Sequence, residues 1–462
     1  ELGTSFFSSF YFFDQLTGKN LIYFGLSITL IIFVIKNIFL IFSHWHQVKF
    51  VQTIYVEFTN RLFKNYLKKK YLFFLQTNTA LLIRNVTDEI GSFTVYITQF
   101  MVFVSELLVF VGISLVLFYV DFLITSIVLL LVGIFIFFIY KVIKKRVAFY
   151  GKERIVLDGQ IIKHIIQGFT SIKDVKISGR EDDFIYQLNK NVFKKGKLNI
   201  FVNFIHVLPK LLFEILIVCI FVILVLFMLS IQREMTEILQ YLGLFAVASF
   251  RIIPGASRIF LSFQMLKYRQ PSVKLLSSEL FLAKNYSQKD NQSKYSNTPM
   301  LFQKQINLKN LCFSYPTRKE FSLSEISMTI KKGDFVGIVG ETGSGKSTLI
   351  NLFIGLLKPL KGKIEVDEKD IFSNLPKWHK KIGYVPQSIY LTDDTIRKNI
   401  AFGLREEEIE DNLVKHAIKK ANLNELVEKL PNGIDTKVGE KGIKFSGGQQ
   451  QRIGIARSLY HD

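Results

Sequence analysis

Five long apolar segments constrain the fold of this chain more than any other feature. They are Leu21–Ser43, Tyr96–Tyr119, Phe122–Tyr140, Val202–Leu229 and Leu239–Phe263. Each is close to or above the roughly 20 residues that a helix needs to cross the hydrocarbon core of a bilayer. The chain is also 49% hydrophobic and 14% aromatic, which is too apolar for an ordinary soluble protein. The sequence therefore predicts an α-helical membrane bundle.

The connections between these segments alternate in length and charge. His44–Val95 and Lys141–Phe201 are long and basic, whereas Val120–Asp121 and Ser230–Ile238 are short. Because lysine and arginine concentrate in cytoplasmic loops, we expect the long connections to be cytoplasmic. The formal charge of +21 therefore favours cytoplasmic loops of a membrane protein, or contact with an anionic lipid surface, over binding of nucleic acid.

The parts outside the spans can be predicted in outline. Each long connection has room for two helical extensions joined by a short turn, with Asn78–Ile90 and Gln167–Val175 as crosspieces that dock on another domain. Ser5–Leu16 is aromatic but too short to span, which favours an interfacial helix at the external surface over a loop with exposed aromatic rings. Leu280–Met300 is polar and typical of a linker. The predicted divisions are residues 1–20 (external interfacial segment), 21–280 (transmembrane domain), 281–302 (linker) and 303–462 (α/β domain).

A glycine-rich stretch, G-E-T-G-S-G-K-S-T, lies between the apolar runs Phe335–Val339 and Leu349–Leu357. Strand, glycine loop and helix is the context of a phosphate-binding loop, in which backbone N–H groups and the helix N-terminus face phosphate oxygens. Lys346 can reach the β- and γ-phosphates, and the Ser347 hydroxyl is placed to ligate Mg²⁺. These residues predict a site for ATP and Mg²⁺. Its members are Gly340, Glu341, Thr342, Gly343, Ser344, Gly345, Lys346, Ser347 and Thr348.

Three further motifs surround this loop in the sequence. Tyr315 follows a strand-like segment and could stack on an adenine ring. Gln387, in a Val-Pro-Gln triplet, could contact Mg²⁺ or an attacking water. The stretch Ser446, Gly447, Gly448 and Gln449 begins an amphipathic, basic helix. A serine hydroxyl, glycine N–H groups and a helix N-terminus together form a second anion site.

The order of these motifs resembles that of the ATP-binding-cassette (ABC) transporters, specifically half-transporters of the exporter type. The Walker A loop, the Q-loop at Gln387 and the signature loop from Ser446 carry the resemblance, which covers essentially the whole chain. Phe445 stands where the family usually has leucine. The resemblance implies two nucleotide domains that sandwich ATP head to tail, hence a dimer and most simply a homodimer. It assigns roles in catalysis to Lys346, Gln387, Ser446 and Gly448.

The same resemblance leads us to expect a fragment. The family's Walker B strand, catalytic glutamate and switch histidine follow the signature helix, and the chain ends at Asp462 before them. Five spans before a cytoplasmic nucleotide domain would leave the N-terminus outside, with one span missing. The expected fold is a type IV exporter-like bundle with five of six spans, followed by a truncated α/β P-loop nucleotide-binding domain. Such a fragment is expected to bind nucleotide weakly and not to hydrolyse it.

Basic residues occur inside the predicted spans, where ionisable groups are costly and often functional. Arg251 and Arg258 are seven residues apart, so they share one helix face, with a Pro-Gly pair between them. Arginine binds pyrophosphate bidentately, and overlapping depths predict a positively charged cavity for such a group. The alternative is charge pairing with Glu106 and Glu214, also within spans. The predicted cavity residues are Lys36, Lys210, Arg251 and Arg258.

At these residues the chain resembles PglK-type lipid-linked oligosaccharide flippases. The matching stretches are R-I-I-P-G-A-S-R-I in the last span, P-K-L-L-F-E in the span before it, and the aromatic stretch before Leu21. That subfamily tends to have arginine where Lys36 and Lys210 stand. The resemblance implies ATP-driven movement of a polyprenyl-pyrophosphate glycolipid across the bacterial inner membrane for protein glycosylation. The alternatives are an exporter of lipid A, a drug or another amphiphile, and a membrane-anchored P-loop ATPase that transports nothing.

Overall fold

The computed structural model describes residues 18–120, 122–232, 234–290, 302–316 and 320–460. These residues form two compact units. The first contains the described residues up to Gln288 except Lys70–Leu72, and the second contains Lys70–Leu72 and the described residues from Lys289 onward. The predicted interfacial segment, residues 1–20, lies almost wholly outside the described part of the chain.

The first unit is helical. Four of its helical stretches, within Ile22–Leu67, Thr79–Tyr119, Thr125–Thr170 and Glu181–Ser230, are long and apolar enough to cross a membrane. The fifth predicted span lies in the last helix of the unit, where several side chains between 244 and 253 are outside the description. The predicted helical membrane bundle is thereby confirmed. The helices are α1 (Gly18–Leu67), α2 (Tyr71–Gln76), α3 (Thr79–Arg84), α4 (Ile90–Val120), α5 (Phe122–Thr170), α6 (Ile172–Ser178), α7 (Glu181–Ser230) and α8 (Met235–Asp290).

The long helices continue well beyond the predicted spans without a break. α1 and α7 have 50 residues each and α5 has 49, about 75 Å at 1.5 Å per residue. α5 and α7 pack against each other and against α8 through a core that includes Val147, Leu198, Val202, Phe213 and Phe260. The predicted extensions are therefore continuous with the membrane helices.

Glycine at position 151 lets α5 approach α8 closely. A Cβ atom built on Gly151 would collide with the backbone carbonyl oxygen of Tyr268. This close contact determines the position along α5 at which the Tyr268 region of α8 packs.

The two predicted crosspieces differ in form. Asn78 caps α3, because its Oδ1 accepts a hydrogen bond of 2.9 Å from the Ala80 N–H. A π-helical turn, Asn85–Glu89, then joins α3 to α4. The second stretch, Gln167–Val175, is the end of α5 and the start of α6.

The last helix of the unit, α8, extends to Asp290, into the stretch predicted as a linker. Residues 281–290 contain no glycine or proline to end a helix. Residues 291–301 lie outside the described part.

The second unit contains a four-stranded antiparallel sheet and short helices. The strand order is β2-β1-β3-β4, and β1 pairs with both β2 and β3. Leu311, Leu352, Ile364 and Ile371 are fully buried between this sheet and the helix after the glycine loop. The elements are β1 (Gln305–Phe313), β2 (Leu323–Lys331), α9 (Lys346–Phe353), β3 (Lys361–Val366), β4 (Lys369–Asp370) and α10 (Leu375–His379).

A separate core in the second unit holds its C-terminal helices. Leu391, Ile396, Val414 and Ile453 have no exposed surface, and Phe445 packs among them with 7% exposure. The aromatic side chain at 445 is therefore accommodated in the core, as its apolar character leads one to expect. The helices are α11 (Ile396–Ile400), α12 (Asp411–Lys420), α13 (Asn424–Glu428) and α14 (Gly447–Leu459).

The predicted strand before the glycine loop is not formed. Phe335–Val339 has no assigned secondary structure, and Phe335 and Val339 are 103% and 96% exposed. A strand requires a hydrogen-bonded neighbour, and no described strand pairs with these residues. The prediction of a strand at Phe335–Val339 was therefore wrong.

Candidate functional site

The glycine loop has the backbone geometry that a phosphate cradle needs. Gly343 and Gly345 have φ angles of +91° and +92°, in the left-handed region that residues with a Cβ rarely adopt. A Cβ atom on Gly345 would also lie 2.8 Å from both Leu323 Cδ2 and the Ser322 carbonyl oxygen. Glycine is thus required at 345 for conformation and for space, whereas a Cβ on Gly343 would meet nothing within 4 Å.

This difference gives a paired prediction. Gly345→Ala is expected to weaken ATP binding by about tenfold more than Gly343→Ala, because both replacements strain the backbone but only the first also pushes against β2. Binding of a fluorescent ATP analogue to the two variants measures the difference. Equal affinities would contradict the role given to close packing at Gly345.

Lys346 is the first residue of α9 and folds back over the loop. Its Nζ donates hydrogen bonds of 2.6 Å to the carbonyl oxygens of Gly340 and Glu341. No acidic side chain of the described residues forms an ion pair with this amine. Its charge is therefore available to phosphate oxygens. Thr342, Ser344 and Ser347 are exposed around it.

Tyr315 is tied to the same loop. Its hydroxyl lies 3.2 Å from the Oγ1 of Thr348, a buried residue in the first turns of α9. Its ring packs edge-on against Phe313 at 5.0 Å between centroids. The predicted adenine contact thus lies beside the loop in space although it is 31 positions before Lys346 in the sequence.

The signature loop begins α14 with a capping box. Ser446 Oγ accepts from the Gln449 N–H at 3.4 Å, and Gln449 Oε1 accepts from the Ser446 N–H at 2.8 Å. Gly447 and Gly448 are exposed, and a Cβ on either would meet nothing within 4 Å. No described residue lies close enough to exclude a side chain at these two positions. A ligand that approaches the helix N-terminus closely would exclude one.

The two predicted metal ligands, Ser347 and Gln387, are both exposed. Ser347 is exposed in the first turn of α9, and Gln387 is exposed in a segment without regular structure. The described residues contain no group of three His, Cys, Asp or Glu side chains that could hold a metal ion. The donors present, a glycine cradle, one lysine and one serine hydroxyl, fit a nucleotide whose own phosphates supply further Mg²⁺ ligands.

The basic residues of the predicted membrane cavity lie in different settings. Arg258 forms an ion pair with Glu106, with 2.8 Å between Nε and Oε1 and 3.3 Å between Nη2 and Oε2. Lys36 is exposed, with its Nζ 4.4 Å from the Phe33 ring centroid, and Lys210 is also exposed. The Arg251 side chain lies outside the described part. Charge pairing, the alternative to a free cavity, is thus realised for Arg258.

Sequence reasoning missed a second cluster of charges in the helical unit. The buried Arg154 binds Glu89 at 3.0 Å, Asp158 at 3.1 Å and the Ser272 hydroxyl at 2.7 Å. Lys195 binds Asp158 at 2.6 Å. These residues were overlooked because only ionisable residues within the spans were considered. The i, i+4 spacing of Arg154 and Asp158 is the one signal that the sequence offers for them.

Three residues of this cluster, Arg154, Asp158 and Lys195, line a cleft of about 490 Å³ between α4, α5, α7 and α8. Its wall is polar, with amide and hydroxyl side chains beside the charges. The lining residues used below are Asp88, Ser92, Lys195, Asn199, Asn203 and Arg269.

Comparisons with known proteins agree with this geometry. Residues 323–462 match the family model described as "ABC transporter". The chain is 40% identical over 156 residues to an uncharacterized ABC transporter ATP-binding protein, YfiB, of Bacillus subtilis, which is 33% of this chain and 27% of the relative. It is 37% identical over 159 residues to the ATP-dependent lipid A-core flippase of Ralstonia nicotianae, 34% of this chain and 27% of the relative. The alignments thus span about a quarter of the length of these two relatives.

A solved structure extends the likeness to the helical unit. The structure of a bacterial Atm1-family ABC exporter with ATP bound covers 90% of this chain and 72% of its own, with a TM-score of 0.74 and 21% identity. The fold is therefore that of an ABC exporter: a bundle of membrane-spanning helices followed by an ABC nucleotide-binding domain. Residues 323–462, the part of the chain that matches the ABC transporter family model, correspond to that domain.

Proposed function

We propose that the protein is the subunit of an ATP-driven lipid flippase in the bacterial inner membrane. The observation that carries the proposal is the ion pair between Arg258 and Glu106, which lies within predicted spans of a chain that also holds an ABC nucleotide-binding domain. A membrane anchor alone has no need of charges at that depth, where they are costly. Lipid A-core flippases among the relatives support a lipid as cargo.

The cargo that we propose is a polyprenyl-pyrophosphate-linked oligosaccharide. Arg258 would exchange the Glu106 carboxylate for the pyrophosphate, since the planar guanidinium binds either bidentately. Arg251 shares a face of the same helix with Arg258. Together with Lys36 and Lys210, it would add positive charge. The apolar tail would stay in lipid, so the protein has only to replace the hydration of the headgroup.

The nucleotide-binding domain would drive the change of access as part of a homodimer. Bound ATP with Mg²⁺ supplies a phosphoanhydride whose hydrolysis provides the free energy. Lys346 and the loop N–H groups would orient the phosphates, Ser347 would hold the metal, and Gln387 would contact the metal or the attacking water. Ser446, Gly447 and Gly448 of one copy would face the glycine loop of the other. Two states of the helical bundle, inward and outward, then differ in which side the basic residues face.

A flipping assay tests the proposal in liposomes that contain the full-length protein. Arg258→Ala is expected to lower flipping of a fluorescent polyprenyl-pyrophosphate glycolipid by at least ~10-fold, because one charge-assisted contact is lost and Glu106 is left unpaired. Arg258→Lys should retain an intermediate rate. Lys274→Ala, which removes an exposed charge further along α8, is the matched control. ATPase activity is measured in the same liposomes to separate transport from hydrolysis.

The second candidate cargo is lipid A, which the names of several relatives favour. The same liposomes loaded with labelled lipid A separate the two. Flipping of lipid A alone would replace the glycolipid as cargo, and unimpaired flipping of both lipids by Arg258→Ala would overturn the role of the basic residues.

A further inference from the structure

Arg269 is the one lining cation of the polar cleft that lacks an acidic partner among the described residues. Its Nη1 donates a hydrogen bond of 2.7 Å to the Ser92 hydroxyl, and its Nε is buried without a hydrogen-bond partner. Its guanidinium carbon lies 5.3 Å from the centroid of the buried Tyr268 ring, and that of Arg154 lies 5.9 Å from the same ring. Two guanidinium groups thus meet at one aromatic side chain.

The charges around the cleft do not balance. Arg154 and Lys195 neutralise Asp158, and Arg84 and Arg154 both face the fully buried Glu89. Asp88 lies exposed at the rim. Burial and the nearby Arg154 charge lower the pKa of Arg269 below its ordinary value. The bases exceed the acids by one, and the excess lies at Arg269. The bases are Arg84, Arg154, Lys195 and Arg269, and the acids are Asp88, Glu89 and Asp158.

We propose that this cleft is a binding site for the phosphate group of a phosphate ester, with Arg269 as its principal contact. Hydrogen-bond donors come from three helices: Arg269 on α8, Lys195 and Asn199 on α7, and the Ser92 hydroxyl on α4. Ser92 accepts from Arg269 and keeps its own proton to donate. Oxygens that point in several directions, as on phosphate, suit this arrangement better than the coplanar oxygens of a carboxylate.

The remaining lining residues fit the rest of such a ligand. Asn203 offers an amide that both donates and accepts, and Asp88 accepts hydrogen bonds only. A hydroxyl-bearing alcohol or sugar attached to the phosphate would be bound by these groups. At about 490 Å³ the cleft is also within the size range of small-molecule sites.

The ligand has two possible sources. The α7 residues that line the cleft run from Lys195 to His206 and pass Val202, where the fourth predicted span begins. The proposed membrane topology then places the cleft at the level of the cytoplasmic headgroups, and this step rests on the proposed function. A lipid headgroup and a soluble phosphate ester can therefore both reach it. The site is distinct from Lys36, Lys210 and Arg258, which do not line it.

Binding to the full-length protein in a sugar-based detergent tests the proposal. The glycine loop is first saturated with a non-hydrolysable ATP analogue, so that it does not take up phosphate. One arm titrates glycerol 3-phosphate by calorimetry, and the other counts phosphatidylglycerol molecules retained in native mass spectrometry. We expect at least one probe to bind the unaltered protein, and the arm in which it binds identifies the source.

Variants then locate the binding. Arg269→Ala is expected to lower affinity by ~10–100-fold, because a charge-assisted hydrogen bond is lost, and Arg269→Lys by less. Ser92→Ala should also weaken binding, which keeps the test valid if Arg269→Ala does not fold. The control Lys274→Ala removes an exposed charge on the same helix and should bind like the unaltered protein.

Two results would overturn the proposal: neither probe binds the unaltered protein, or Arg269→Ala and Ser92→Ala bind as well as it does. Both results are binding measurements, so they do not depend on the outcome of the flipping assay. Loss of flipping in Arg258→Ala without binding in the cleft would remove this site and leave the flippase proposal standing.

Discussion

Lys346→Ala is expected to lower the ATPase rate of the full-length protein by ~100-fold or more, the effect of removing one preorganised charged donor from a phosphoryl-transfer site. The Nζ of Lys346 is already held at 2.6 Å from the carbonyl oxygens of Gly340 and Glu341. In the proposed nucleotide complex, the amine would exchange these carbonyl oxygens for oxygens of the β- and γ-phosphates. Alanine removes the charge and leaves the first turn of α9 intact, because alanine favours helix.

A matched lysine separates this effect from a general loss of charge. Lys332 is exposed in the turn after β2, and Lys332→Ala should hydrolyse ATP at the unaltered rate. Phosphate release is measured under saturating ATP, and binding of an ATP analogue in parallel. A Lys346→Ala protein with half or more of the original rate would show that the glycine loop is not the catalytic phosphate site.

Glu89→Ala is expected to destabilise the helical unit by about 3–5 kcal/mol, the usual cost of breaking a buried ion pair from one side. Glu89 has no exposed surface, and its carboxylate lies 3.0 Å from Arg154 and 4.0 Å from Arg84. Arg84 and Arg154 are themselves buried. Without Glu89, two buried guanidinium groups lose a shared counter-charge, and Asp158 alone remains to compensate Arg154.

An exposed pair provides the comparison. Arg180 and Asp183 are 3.2 Å apart, with side chains 69% and 60% exposed. Asp183→Ala should change stability by less than about 1 kcal/mol, because water already solvates both charges. Thermal unfolding of the detergent-solubilised protein measures both variants. Similar shifts in the midpoint would mean that the Glu89 network contributes nothing beyond a surface ion pair.

The membrane helices were predictable because hydrophobic length is a local property. Leu21–Ser43 lies within α1, and Phe122–Tyr140 lies within α5. The ends were not predictable from hydropathy, since α1 and α5 continue through polar residues that contain no proline. α8 passes into the stretch expected to be a linker for the same reason.

The backbone conformation of the glycine loop was predictable for a different reason. Gly343 and Gly345 have positive φ angles, which glycine adopts without the steric cost that other residues meet. Phe335–Val339 failed as a strand because pairing depends on residues distant in sequence. Local pattern can show that a segment prefers an extended backbone, but not that a neighbour is there to bind it.

Charge partners were the least predictable part. Arg258 and Glu106 are 152 positions apart, and the sequence left pairing and a free cavity open as alternatives. Arg154 and Glu89 are 65 positions apart, and both residues lie outside the predicted spans. Their pairing depends on how α5 packs beside the π-helical turn, which no spacing in the sequence encodes.

The unbroken length of α5 has a mechanical consequence. A rod of 49 residues is about 74 Å long, so a tilt of only ~5° about one end displaces the other by ~6 Å. A joint within the helix would absorb such a rotation, and α5 contains no proline. Small rotations at one end of α5 therefore become displacements of side-chain size at its other end.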